Sequence, residues 1–191
     1  AVGGVQQSIA LSWVLYLLGN HPSVKERVAQ EISTLLTGGR APELTDIADL
    51  SLTGAVIDEA LRLYPPFFLI GREAIRGTEI SGYRISAQTT VVLSPWVTHR
   101  LERYYAQPDV FLPDRWADGL ARRLPRGAYF PLGGGARLCL AQASVRKELV
   151  LVLAAIMRGH CVTLDPDHPV APHPTASLEL HDGLVGTIGR R

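Results

Sequence analysis

The sequence predicts a mainly α fold with small β-sheets (α+β). Three observations carry that expectation. Apolar residues recur at helical spacing in several separate stretches, whereas the segment from Arg72 to Pro95 alternates in short runs broken by Gly77 and Gly82. Hydrophobic residues make up 47% and charged residues 19% of the 191 residues, enough apolar surface for a sizeable core. There are no internal repeats, low-complexity tracts or linkers, so a single unit over 1–191 is expected.

The first helix is read from Ser8 onward, with Ile9, Trp13, Tyr16 and Leu17 at helical spacing and Gly19, Asn20 and Pro22 as its stop. It is apolar on most faces, as a helix buried in a larger body is. Ser23 is the expected N-cap of the next helix, whose apolar face holds Val28, Ile32 and Leu35. A third helix runs from Thr53 to Tyr64 with Val56, Ala60 and Leu63 in a stripe, and Pro65-Pro66 ends it. Hairpins follow up to Pro95, then a long ordered coil from Leu101 to Arg126. Pro131 to Gly135 forms a glycine-rich turn. Leu140 to Arg158 is the clearest helix, with Val145, Leu149, Val152 and Ile156 on one face and Gly159 at its end. The tail alternates around His181-Asp182-Gly183, which predicts one more hairpin.

Composition removes several function classes. Nineteen basic against eighteen acidic residues leave a net charge of +1, which gives no electrostatic reason for nucleic acid as a partner. Two cysteines, Cys139 and Cys161, cannot build a disulfide framework and fit a reducing compartment, so a cytoplasmic location is expected. No apolar run reaches membrane-spanning length. Lys25 and Lys147 are the only lysines among the basic residues, and Ala and Gly are frequent, a bias of GC-rich bacterial genomes. The chain begins at Ala1 and its single methionine is Met157, so a longer parent protein is expected.

Cys139 carries the first chemistry. It follows Pro131-Leu132-Gly133-Gly134-Gly135-Ala136-Arg137 and precedes the Leu140 helix. Amides of a glycine-rich turn and of a helix N-terminus favour a thiolate, and glycines let backbone pass close to a flat ligand. An ordinary buried cysteine behind a turn is the alternative. A phosphate loop is excluded, because the Gly-Lys-Ser/Thr ending is missing. Glu59 and Arg62 lie at i and i+3 on one helix face between apolar residues, so a buried pair needing further hydrogen-bond partners is one reading and a solvated pair the other. Arg115 is a possible third member, since Pro108 and Pro113 hold an extended coil around it.

Together these segments resemble the cytochromes P-450, the heme-thiolate monooxygenases. E-x-x-R is Glu59 and Arg62 before Tyr64-Pro65-Pro66. P-E-x-F-x-P-E-R-F appears as Pro108 to Trp116. The heme signature F-x-x-G-x-R-x-C-x-G appears as Leu132, Gly135, Arg137, Cys139 and Ala141, with Leu and Ala replacing the first Phe and last Gly. The resemblance implies the C-terminal half of that fold, from the oxygen-activating helix onward, with the N-terminal half absent. It implies heme b as cofactor and Cys139 as its iron ligand. Arg137, Arg72, His99, Leu132 and Gly133 are then cofactor-binding positions, with a structural role open for His99 and a strand-end surface position for Arg72. Glu59, Arg62 and Arg115 form the family's structural triad. A ferredoxin or flavoprotein reductase as electron donor and a hydrophobic small-molecule substrate follow, dioxygen being the oxidant.

One departure bears on chemistry. Aligned backwards from Pro22, residues 1–8 fall on the family's A-G-x-D/E-T-T helix. Val5 and Gln6, or Gln6 and Gln7 with a slip of one, take the acid and alcohol positions. Glutamine hydrogen-bonds but does not titrate near neutral pH. Three outcomes stay open: a water relay using Gln6 and Gln7, a peroxide-dependent or isomerising enzyme, or a non-catalytic remnant.

Overall fold

The computed structural model describes residues 2–190. Among the described residues six helices, α1 (Val2–Asn20), α2 (Pro22–Leu35), α3 (Ser51–Leu63), α4 (Pro95–Thr98), α5 (Leu120–Arg123) and α6 (Gln142–Gly159), are joined by small antiparallel sheets and short 3₁₀ turns. The expected mixture of dominant helices and small sheets is what the chain forms.

α1 is the axis of the assembly. Its apolar surface on several sides finds separate partners, for it packs against α2, α3, α6 and the C-terminal strands. Trp13 shows how: its indole stacks on Tyr64 with ring centroids 3.9 Å apart, and its Nε1–H donates to the Leu178 carbonyl at 2.8 Å. The core is built where α1, α2, α3 and α6 meet, around Val14, Leu18, Ile32, Val56, Ile57 and Leu153. These side chains exclude water almost completely, and each contributes roughly 1.5–3 kcal/mol of apolar burial.

The helix boundaries differ from expectation for local reasons. His21, not Ser23, stands at the N-cap of α2 with no side-chain cap, because Pro22 takes the first helical position, where its missing N–H costs nothing. α3 begins at Ser51, two residues before the expected Thr53. Its N-cap Leu50 has no polar side chain, and Glu31 of α2 does the capping instead. The Glu31 carboxylate accepts from Leu52 N at 2.7 Å, Thr53 N at 2.8 Å and Thr53 Oγ1 at 2.6 Å. Anionic charge there also meets the helix dipole. Glu31→Ala is therefore expected to lower stability by about 1–2 kcal/mol, read as an earlier urea midpoint with an unchanged slope.

On α6 the buried stripe is Leu149, Val150, Leu153, Ala154 and Met157, while Val152 stays 41% exposed. Both stripes have helical spacing, and only the positions of α2 and α3 decide which one faces inward. The 101–126 segment is less irregular than expected: Pro113–Trp116 is a 3₁₀ turn and α5 lies within it.

The strands form nested pairs. β1 (Ile70–Glu73) pairs with β4 (Thr90–Leu93) and encloses the β2 (Thr78–Ile80)–β3 (Tyr83–Ile85) hairpin. Its two-residue turn, Ser81-Gly82, has φ of 51° and 85°, the positive pair that matches strand twist. β5 (His160–Leu164) likewise pairs with β8 (Gly186–Arg190) around β6 (Pro172–Pro174) and β7 (Leu178–Leu180). The expected hairpin at His181-Asp182-Gly183 is thus a link between two sheets, and the hairpin turn lies at Thr175 to Ser177. A Cβ on Gly186 would meet the Thr163 carbonyl at 2.4 Å, so β8 needs glycine there.

Candidate heme-binding site

The anchor of the site is Glu59, wholly buried on α3. Five donors converge on its carboxylate. Arg62 gives Nε to Oε2 and Nη2 to Oε1, both at 2.9 Å. Oε1 also accepts from Leu112 N at 2.9 Å and Arg115 Nε at 3.0 Å, and Oε2 from Trp116 Nε1 at 2.8 Å. The structure therefore brings Glu59, Arg62 and Arg115 together in a buried cluster rather than a solvated pair. Trp116, placed by the sequence where the family pattern has Phe, is a fourth member that sequence reasoning missed. Its indole N–H was the available signal, since a buried indole needs an acceptor.

Arg62 extends the lock. Its Nη1 donates to the carbonyls of His99 at 2.8 Å and Pro108 at 2.5 Å, and its Nη2 to Val110 at 3.2 Å. Arg115 holds Ala106 and Gln107 carbonyls at 2.6 and 3.0 Å. Every charge in the cluster is paired and its remaining donors are used, the condition a buried ion pair requires.

His99 meets backbone groups at both ring nitrogens. It is fully buried. Its Nδ1 lies 3.1 Å from the Arg62 carbonyl and its Nε2 accepts from Phe130 N at 2.9 Å. Those partners fix the Nδ1–H tautomer and leave neither nitrogen for a carboxylate. Burial is the main cause that pushes its pKa down to about 3. His99 thereby ties the α3 cluster to Tyr129 and Phe130, whose rings lie 5.3 and 5.4 Å from its own.

Tyr129 and Phe130 open onto a cavity of about 520 Å³, walled further by Ile70, Arg72, Leu93, Arg126 and the glycines of the loop. Gly133 has φ +89° and Gly135 +67°, conformations that ordinary residues rarely adopt, and these fold the chain back on itself. Cys139 N donates to the Leu132 carbonyl at 3.2 Å, which closes the turn. Leu132 is buried beneath it, and Cys139 itself is half-buried. Cys139 precedes the helix as expected, but α6 starts at Gln142 and not at Leu140, so two residues separate them.

Arg72 lines the cavity, and its guanidinium makes a 2.8 Å hydrogen bond to the Gly71 carbonyl. Arg126, which sequence reasoning left in the polar coil, is the second arginine on the wall. Arg137 is exposed in a 3₁₀ turn and is not among the lining residues. Gln6 and Gln7 lie apart from this wall. Gln6 Nε2 donates to Ser177 Oγ at 2.8 Å, and Gln7 Nε2 donates to Glu148 Oε2.

The donor set fits a heme. Among the described residues no group of three His, Cys, Asp or Glu side chains is arranged around a common point. Leu138 and Leu140, on either side of the cysteine, are both exposed, Leu140 completely. Such a loop suits a flat apolar ligand laid against it, with guanidinium groups of Arg72 and Arg126 for its carboxylates. Among the described residues no helix is long and apolar enough to cross a membrane.

A cysteine loop locked to a buried glutamate–arginine cluster, set among these helices, defines a class. The chain belongs to the cytochrome P450 family, whose family model matches residues 3–183. Among known proteins it is 38% identical over 169 residues to cyclooctatin synthase of Streptomyces melanosporofaciens, covering 88% of this chain and 37% of that protein. It is 36% identical over 168 residues to pentalenene oxygenase of Streptomyces avermitilis, with 88% and 37% covered. It is 32% identical over 178 residues to steroid 17-alpha-hydroxylase/17,20 lyase of Oryzias latipes, with 92% and 34% covered. The chain thus spans well under half the length of these relatives. The crystal structure of a cytochrome P450 superimposes with a TM-score of 0.86 at 26% identity, covering 97% of this chain and 42% of the other. The expected fold is the one found.

Proposed function

We propose that these residues are the thiolate-ligating part of a heme b monooxygenase that inserts one oxygen atom from dioxygen into a hydrophobic organic substrate. The observation that carries this reading is the loop that leads to Cys139: its Gly133, Gly134, Gly135 and Leu138 line a cavity flanked by Arg72 and Arg126, and two of its glycines have positive φ. When bound, the heme supplies dioxygen activation, and a thiolate ligand favours O–O cleavage. The chain's own residues do the rest. The loop from Leu132 to Cys139 sets the sulfur's height, and the Glu59 cluster keeps that loop fixed through His99 and Phe130. Arg72 and Arg126 orient the carboxylates. Electrons come from a ferredoxin or flavoprotein reductase, and the N-terminal half of the relatives' fold completes the substrate pocket. The names of the Streptomyces relatives support an apolar carbon skeleton as substrate.

The test is the carbon monoxide difference spectrum of the reduced, heme-supplied whole gene product, with Cys139→Ser beside it. A strongly red-shifted Soret band is expected, and it is expected to vanish in the serine variant. No such band in a folded wild-type protein would refute heme-thiolate ligation and favour a non-catalytic remnant. One observation favours a second reading. α1 has no acidic side chain, and Val5 and Gln6, or Gln6 and Gln7 with a slip of one, fall where the family's pattern has its acid and alcohol. Under that reading peroxide alone drives turnover, and NAD(P)H with redox partners does not.

A further inference from the structure

The loop that bears Cys139 is tied at both ends to one residue of α3. On its entry side Tyr129 donates its hydroxyl to the Asp58 carbonyl at 3.0 Å. On its exit side Arg146, in the second turn of α6, forks onto the Asp58 carboxylate, with Nε 2.8 Å from Oδ1 and Nη2 2.6 Å from Oδ2. Among the described residues no side chain between Pro131 and Val145 makes a hydrogen bond to another element, and the backbone bonds of the loop, such as Cys139 N to the Leu132 carbonyl, are internal. α6 has no polar cap at its start, and none of its residues before Leu149 is fully buried. Arg146 is therefore the polar anchor of the turns that follow the cysteine. We propose that Asp58 is a positioning residue for the Cys139 sulfur, its carbonyl and its carboxylate holding the two ends of the loop on α3. This rests on the heme-thiolate reading above.

Two features of the pair point to placement over stability. The first is its energetics. Burial pushes the Asp58 carboxyl up from its ordinary value, and the hydrogen-bonded Arg146 offsets this only in part. On the arginine side the same pair raises the pKa, because that end lies nearer water, 40% exposed against 15% for Asp58. An ion pair whose acid stays charged against its own desolvation adds little to stability, so what it adds is geometry. A bidentate guanidinium fork fixes direction as well as distance. The second feature is Gly54, one turn before Asp58. A Cβ there would stand 3.0 Å from Arg146 Nη2, its three nearest atoms all belonging to that guanidinium. The bare backbone of α3 thus leaves the lane through which Arg146 reaches Asp58. Asp58 also adjoins Glu59, so the helix that gathers the buried cluster gathers the cysteine loop as well.

The test uses the whole gene product as purified, with Asp58→Asn and Gly54→Ala beside wild type. The Leu138 and Cys139 amides donate to the Gly135 and Leu132 carbonyls inside the loop, so their hydrogen exchange reports the loop with or without heme. Asp58→Asn is expected to speed that exchange about tenfold, the scale of one lost hydrogen bond to a charged group. Gly54→Ala is expected to speed it too, although alanine favours the helix and the urea midpoint should not fall. Glu31→Ala loosens the start of the same helix without touching the loop. It is expected to lower the urea midpoint and to leave these two amides as they were. In the heme-loaded, reduced protein, part of the carbon monoxide band of Asp58→Asn and of Gly54→Ala is expected to move back from its red-shifted position, and that of Glu31→Ala to stay.

Loop amides that exchange at the wild-type rate in both variants would overturn the proposal, whatever the heme does. So would a Glu31→Ala protein whose loop loosens as far as theirs, since the pair would then act through stability alone. Faster exchange with an unmoved carbon monoxide band would show that Asp58 holds the loop without setting the sulfur, and the proposal fails there as well. A wild type without the band removes the heme-thiolate reading and this inference with it, a failure that the band of the wild type alone distinguishes from the others.

Discussion

Glu59→Gln is expected to cost about 3–5 kcal/mol of folding stability, the usual loss when one partner leaves a buried ion pair. The number of converging donors argues for the upper part of that range. Glu59 is wholly buried, and its carboxylate accepts from Arg62 twice, and from Leu112, Arg115 and Trp116. A glutamine keeps one acceptor oxygen and turns an NH₂ toward groups that are all donors. Arg62, itself wholly buried, then keeps its positive charge with no counter-ion in contact. A domain is stable by only about 5–15 kcal/mol, so much of the folded population is at risk at physiological temperature. Trp116→Phe provides the internal scale. It removes a single donor from Oε2, which still has Arg62 Nε, and should cost about 1–2 kcal/mol. Urea unfolding followed by circular dichroism checks the order. A Glu59→Gln midpoint no lower than that of Trp116→Phe would show that the cluster does not hold the fold.

How much of this was legible in the sequence follows from what each signal encodes. The helices were visible because α1, α3 and α6 bury long apolar stripes, and a period of 3.6 is written into residue order. The choice between two such stripes on α6 was not, because Val152 and Leu153 are equally apolar and only the neighbouring helices decide between them. Caps were misplaced for the same reason. Glu31 caps α3 from another helix, and nothing local to Ser51 announces it. Cys139, Glu59, Arg62 and Arg115 stood out through the spacing of the family resemblance. Arg126 did not, since an arginine after a proline in a polar segment has no periodic signature, and its place on the cavity wall is a property of the folded coil. The His181-Asp182-Gly183 turn has the residues of a hairpin but joins two sheets, because the strands on either side pair elsewhere.

His99 gives the protein an acid-sensitive joint. Its folded pKa is lowered to about 3 from an ordinary 6.5, with burial as the chief cause and the Arg62 and Arg100 charges adding to it. The hydrogen bond to the Arg62 carbonyl works in the opposite direction but is outweighed. A depressed pKa means that the unfolded chain takes up a proton here before the folded chain does. The contribution of neutral His99 is therefore complete above about pH 6.5 and is lost as pH falls from there toward 3. By about pH 4.5 the loss is on the order of 3 kcal/mol. Protonation would also turn an N–H of Nε2 against the Phe130 amide that now donates to it. The wall of the cavity should then loosen before the helical core does. Urea titrations at several pH values between 7 and 4.5 should show stability falling with acid, and a His99→Gln variant should show a shallower fall from a lower starting value. Hydrogen exchange at the Phe130 amide is the local check. If it stays protected at low pH while global stability falls, the acid sensitivity lies in some other group and His99 is not the joint.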